Sequence, residues 1–170
     1  MDAKSFEYND KLDIHYRKVS NSLVVSGMGI IFFGLWSVIK VFTEIAFGQV
    51  NITEFLMSGL ENTPRMRFLM FAVFAGVILF VIIFHYYVGS CAIRVGTGKK
   101  RHYLYIAFAI ILLAVNIVGM EQYFSADPAY SQIDVTIASF LVDLANCATL
   151  INLVITSFLY YGLKKSAMEE

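Results

Sequence analysis

Apolar residues gather into four long runs along the chain, at about 23–47, 66–95, 102–121 and 133–161, separated by polar stretches. Each is close to or above the roughly 20 residues that a helix needs to cross a hydrocarbon core about 30 Å thick. Backbone polar groups in hydrocarbon must be satisfied within their own segment, so the runs are expected to be helices. The fold class that follows is all-α: a polytopic integral membrane protein, a four-transmembrane-helix bundle with an N-terminal cytoplasmic amphipathic helix.

Local chemistry marks the boundaries. Asn62 or Thr63 can cap the second helix, with Pro64 in its first turn, and Gly96-Thr97-Gly98 breaks it at the far end. Asp127-Pro128 marks a turn before the fourth run, and Gly162 is expected to close that helix ahead of Lys164 and Lys165. Tyr8, Leu12, Tyr16, Val19 and Leu23 recur near helical spacing. They predict an amphipathic helix over 1–22 that lies at the membrane interface or serves as a docking element. Residues 23–163 then form the membrane domain and 164–170 a tail. Between the first two runs, Ile52, Phe55, Leu56 and Leu60 suggest a short surface helix, and Asn51-Ile52-Thr53 fits a glycosylation acceptor.

Composition agrees. Hydrophobic residues make up 58% and charged residues 15% of the 170, and mean hydropathy is +0.67. Soluble domains run about 45–50% apolar and about 25% charged, so a water-soluble globular domain is excluded. Two Pro against 15 Phe and 10 Tyr exclude a disordered chain. A net charge of +0 argues against a nucleic-acid partner.

The charges are unevenly placed. Lys4, Lys11, Arg17 and Lys18 precede the first span; Arg94, Lys99, Lys100 and Arg101 lie between the second and third; Lys164 and Lys165 follow the fourth. The other two loops carry Glu121, Asp127 and Asp134, with Arg65 and Arg67 as the dissenting bases. The positive-inside rule then sets both termini in the cytoplasm of a multi-pass cell-membrane protein.

Ionisable groups at membrane depth are a functional hypothesis by default. Counting from the cytoplasmic ends at about 1.5 Å per residue, Asn116 and Asn146 lie at roughly 21–23 Å. Lys40 and Asp143 lie at roughly 25–27 Å, and Glu44 at roughly 29–32 Å. Thr136, Ser139, Asp143, Asn146 and Cys147 share one face of the fourth helix. The expectation is an outward-opening polar cavity with Lys40 and Asp143 as an ion pair and Glu44, Asn116 and Asn146 nearby, suited to an ion or small polar solute. The competing expectation is that these residues only stitch helices together. His85 is a candidate proton or pH site, or one of an aromatic belt with Tyr86 and Tyr87. Asn152, Thr149 and Thr156 form a second polar face of the fourth helix. Ser22 with Ser26, Gly29 with Gly34, and Ala72 with Gly76 are small pairs that permit close helix approach.

Several chemistries find no motif. His15, His85 and His102 lack metal-ligand spacing. Cys91 and Cys147 read as buried apolar residues at different depths. Gly96 to Lys100 lacks the earlier glycine and the following Ser or Thr of a phosphate loop. No nucleophile–base pair or cofactor motif stands out, so an enzyme is not expected and no cofactor is implied. The function expected is a small transport or channel protein, oligomeric within the lipid bilayer. The alternative is a non-catalytic accessory, assembly or immunity-type subunit that binds a membrane partner protein.

Overall fold

The structure, a computed structural model, describes residues 3–46, 56, 63–99, 103–121, 123–124 and 137–169, with side chains over 13–43, 45–46, 56, 63–99, 103–121, 123–124 and 139–163. Four helices are described at length: α1 (Ala3–Ala46), α2 (Pro64–Gly96), α3 (Leu104–Glu121) and α4 (Ile137–Glu169). Each is long and apolar enough to cross a membrane, over Asp13–Thr43, Pro64–Gly96, Leu104–Glu121 and Ser139–Leu163. Length and composition together suggest a multi-pass membrane protein. The surface helix expected near 52–60, the Asn51 acceptor and the Asp127-Pro128 turn lie outside the described residues, save Leu56.

The ends of α2 follow their local chemistry. Thr63 is extended (φ −93°, ψ 151°) and its hydroxyl accepts the Met66 amide, with Pro64 entering the first turn. At the other end the Thr97 amide and hydroxyl both donate to the Ile93 carbonyl at 2.9 Å. Gly98 then takes φ +76°, a value that L side chains rarely adopt. The fourth helix departs from expectation. It does not stop at Gly162 but continues to Glu169. The residues after Gly162 are mostly good helix formers, and one interior glycine costs only about 1 kcal/mol. The first helix spans 44 residues without a break, about 66 Å at the usual rise. No interruption therefore separates the N-terminal segment from the first span.

Cross-helix contacts set an antiparallel register. Along α1 and α2, Ser20 meets Gly96, Gly27 meets Gly89, and Gly34 meets His85. Along α1 and α4, Tyr16 meets Tyr160, Ser26 meets Asn152, and Lys40 meets Asp143. Along α3 and α4, Tyr105 meets Ser157 and Asn116 meets Asn146. The second and third helices touch more sparsely, through Phe108 against Phe84 and Tyr87. Thus α1 joins two helical hairpins, packing on α2 and on α4, while α3 rests on α4.

Burial is lopsided. The core includes Val19, Leu23 and Ile30 of α1, Val88, Ala92 and Val95 of α2, Tyr105 and Ala109 of α3, and Leu150, Leu153 and Tyr160 of α4. All of these lie toward the end that carries the chain termini. At the opposite end, no residue of α2 from Pro64 to Phe84 is buried.

The tightest seam joins α1 and α2. A methyl group on Gly27 would sit 2.7 Å from the Gly89 carbonyl oxygen, and one on Gly96 would sit 2.8 Å from a Val24 methyl. Ser20, Gly27 and Gly34 recur every seven residues on α1, and Gly89 and Gly96 do so on α2. A seven-residue repeat keeps one face of each helix toward its neighbour. Small residues there let backbones approach closely, and such packing drives helix association in lipid.

Candidate functional site

Three helix ends and one turn build the polar cluster at the end opposite the termini. The Lys40 ammonium of α1 donates to Asp143 Oδ2 of α4 at 3.0 Å and to the Tyr123 hydroxyl at 2.7 Å. The Tyr123 hydroxyl in turn donates to the same Asp143 oxygen. Tyr123 sits in the turn after α3, where its amide donates to the Met120 carbonyl at 3.1 Å, and its ring packs edge-on against Phe140. The Lys40 and Asp143 side chains are 20% and 21% exposed. Both are therefore largely removed from solvent while keeping a route to it. Burial, followed by its bond to the Asp143 carboxylate, raises the Tyr123 phenol above its ordinary pKa; Lys40 opposes that shift.

One turn deeper, the Asn146 amide donates to Asn116 Oδ1 at 3.0 Å. The Asn116 amide donates back to the Leu112 carbonyl at 3.3 Å. Asn146 is 3% exposed, and its Oδ1 has no hydrogen-bond partner among the described residues. Beside it the Cys147 thiol lies 3.6 Å from the Met120 sulfur. Both cysteines are free and buried.

The structure thus brings Lys40 to Asp143 and Asn116 to Asn146, two of them on successive turns of one α4 face. Glu44 falls on α1 one turn beyond Lys40, but its side chain lies outside the described residues. His85 is elsewhere, in the α1–α2 seam. It is 6% exposed, its Nδ1 is 2.8 Å from the Val81 carbonyl, and its Nε2 has no hydrogen-bond partner among the described residues. Tyr86 beside it is exposed, whereas the Tyr87 ring packs edge-on against Phe108 of α3.

The second polar face of α4 contacts α1. Asn152 donates to Ser26 at 2.7 Å and to Ser22 at 3.2 Å, and Thr149 packs over Gly29. Ser22, Ser26 and Gly29 thus face α4, whereas Gly34 faces α2 and Gly76 has nothing within 4 Å. Tyr123 is the site residue that sequence reasoning missed. Depth counting considers only residues inside the apolar runs, and Tyr123 lies two positions past the end of α3. Its position just outside an acidic helix end, at the level of Lys40, is the signal that could have found it.

No family model matches the sequence, and neither curated proteins nor solved structures yield a match to it.

Proposed function

We propose that the chain is a small transport or channel protein of the cell membrane, acting as an oligomer with both termini cytoplasmic. In this reading Lys40, Asp143, Asn116 and Asn146, with Glu44 near the mouth, line an outward-facing polar cavity for an ion or small polar solute. The observation that carries it is the Lys40–Asp143 pair, joined between α1 and α4 and still about a fifth exposed. Ionisable side chains inside a membrane bundle are costly and characteristically mark solute or proton pathways. The concentration of Lys and Arg on one side supports the orientation. Four helices enclose little volume alone, which supports a pathway shared between subunits. Flux through proteoliposomes tests the function. Asp143→Asn and Lys40→Met should each change it severalfold, and flux present and unchanged from wild type in both variants would rule out this cavity as its pathway.

A second reading, a non-catalytic subunit that docks on a membrane partner protein, draws on the uncovered half of α2. Phe68, Phe71 and Phe80 there are 78%, 41% and 63% exposed. Isolation in a gentle detergent should then return a second membrane protein in fixed ratio, and recovery of this chain alone would exclude it.

A further inference from the structure

We propose that Asp143 and Asn146 bind a monovalent alkali cation in exchange for the Lys40 ammonium, which acts as a tethered stand-in for that cation. The proposal rests on the transport reading and names the class of its cargo. Three features of the cluster lead to it.

The first is which partner can move. Asp143 has a short stem on a packed helix, and both bonds described for it fall on Oδ2. Lys40 carries its charge on four methylenes and is already 20% exposed. A stem of that length can carry the ammonium to the nearby interface while its carbons stay in apolar surroundings. The pair therefore opens by departure of the cation. An anion would have to displace the fixed member instead.

The second is the oxygen left over. Asn146 lies one turn deeper on the same face of α4, its amide nitrogen committed to Asn116. Its buried Oδ1 has no donor among the described residues. A buried acceptor without a donor is unfavourable in native structures, and a bound ion can supply the missing partner. An unpartnered acceptor one turn from a carboxylate on the same helix face fits a cation and not an anion.

The third is the charge balance. Among the described side chains, the cluster pairs one carboxylate with one ammonium. Exchange for a monovalent ion preserves neutrality, whereas a divalent ion would leave an uncompensated positive charge in surroundings of low dielectric. The donors are hard oxygens from carboxylate, carboxamide and phenol. These suit alkali ions and not soft metals.

The test is cation-dependent stability of the purified full chain, in detergent, against N-methyl-D-glucamine at matched ionic strength. In Lys40→Met, or Lys40→Gln should the first fold poorly, at least one of Li+, Na+ and K+ should raise the thermal midpoint by about 2–4 °C. The wild type should respond less, because its ammonium competes. Asp143→Asn should abolish the response, and Asn146→Ala should require about tenfold more salt for half the effect. A Lys40 variant indifferent to all three ions, a response that survives Asp143→Asn, or equal stabilisation by Ca2+ would each overturn the proposal. Flux assays separate the two readings. Ion-dependent stability without any flux leaves the site standing and removes transport. Flux that depends on Asp143 without ion-dependent stability removes the cation site alone.

Discussion

Replacing Gly27 with alanine should separate α1 from α2. The added methyl would lie 2.7 Å from the Gly89 carbonyl oxygen and 2.9 Å from an Ile93 methylene. Carbon–oxygen contacts settle at about 3.3–3.6 Å, so the backbones must part by roughly 0.6–0.9 Å at the crossing. A gap of that size forfeits about a quarter to a half of each dispersion contact it opens, and the obstructing atom is backbone, which cannot rotate away. Overpacking of this kind typically costs about 1–3 kcal/mol. Alanine is also the better helix former, by about 0.8–1 kcal/mol. Gly76→Ala supplies the reference, because Gly76 is helical with nothing within 4 Å. The observable is thus the difference between the two variants, expected at about 1–3 kcal/mol in reversible unfolding by SDS in mixed micelles. Equal shifts for Gly27→Ala and Gly76→Ala would refute the claim that backbone contact at Gly27 holds the seam.

Other outcomes follow from the same contacts. A double-mutant cycle of Lys40→Met and Asp143→Leu should show coupling of about 0.6–1.7 kcal/mol, the range of interhelical polar pairs in lipid; additive losses would mean the pair contributes nothing. Asn152→Ala removes bonds to both Ser22 and Ser26 and should destabilise by about 1 kcal/mol, whereas Asn152→Ala in a Ser22→Ala, Ser26→Ala background should cost little. The raised pKa of Tyr123 favours its protonated form in the folded state. Its contribution should be full below the ordinary phenol value near 10 and fade as pH rises through the folded value. The stability gap between wild type and Tyr123→Phe should therefore be constant below pH 9 and narrow as pH rises above 10, and a gap unchanged from pH 8 to 11 would contradict this. Labelling of single-cysteine variants in intact cells by an impermeant maleimide should modify Asn51→Cys and spare Lys99→Cys, both in a chain with Cys91 and Cys147 replaced; the reverse pattern would invert the topology.

Periodicity carried most of the fold. The four runs, the Thr63 cap and the Gly96–Gly98 stop appear in the structure close to where residue types put them, because each depends on neighbours in sequence. Depth arithmetic also set Lys40 level with Asp143 and Asn116 level with Asn146, and the structure brings the members of each pair into contact. Helices that cross the same layer put such residues at equal depth, and they meet where the helices are neighbours. Which helices are neighbours was not legible. The Gly27–Gly89 seam depends on α1 touching α2, and its seven-residue repeat is masked by the small pairs four or five apart within single spans. Gly162 failed as a stop because an isolated glycine ends a helix only when the following residues disfavour it. Tyr123 lay beyond the segments whose depth could be counted.

The one-sided core has a mechanical consequence. From Pro64 to Phe84, α2 is a beam about 30 Å long, fixed at its far end by the glycine seam and free of buried residues along its length. Its residues are exposed or only partly buried, so bending it displaces the loop-bearing end while disturbing none of the fully buried core. Compliance and strength are therefore assigned to opposite ends of the same helix. Substitutions near Gly89 should alter how long the protein survives, and substitutions near Phe71 should alter how it moves.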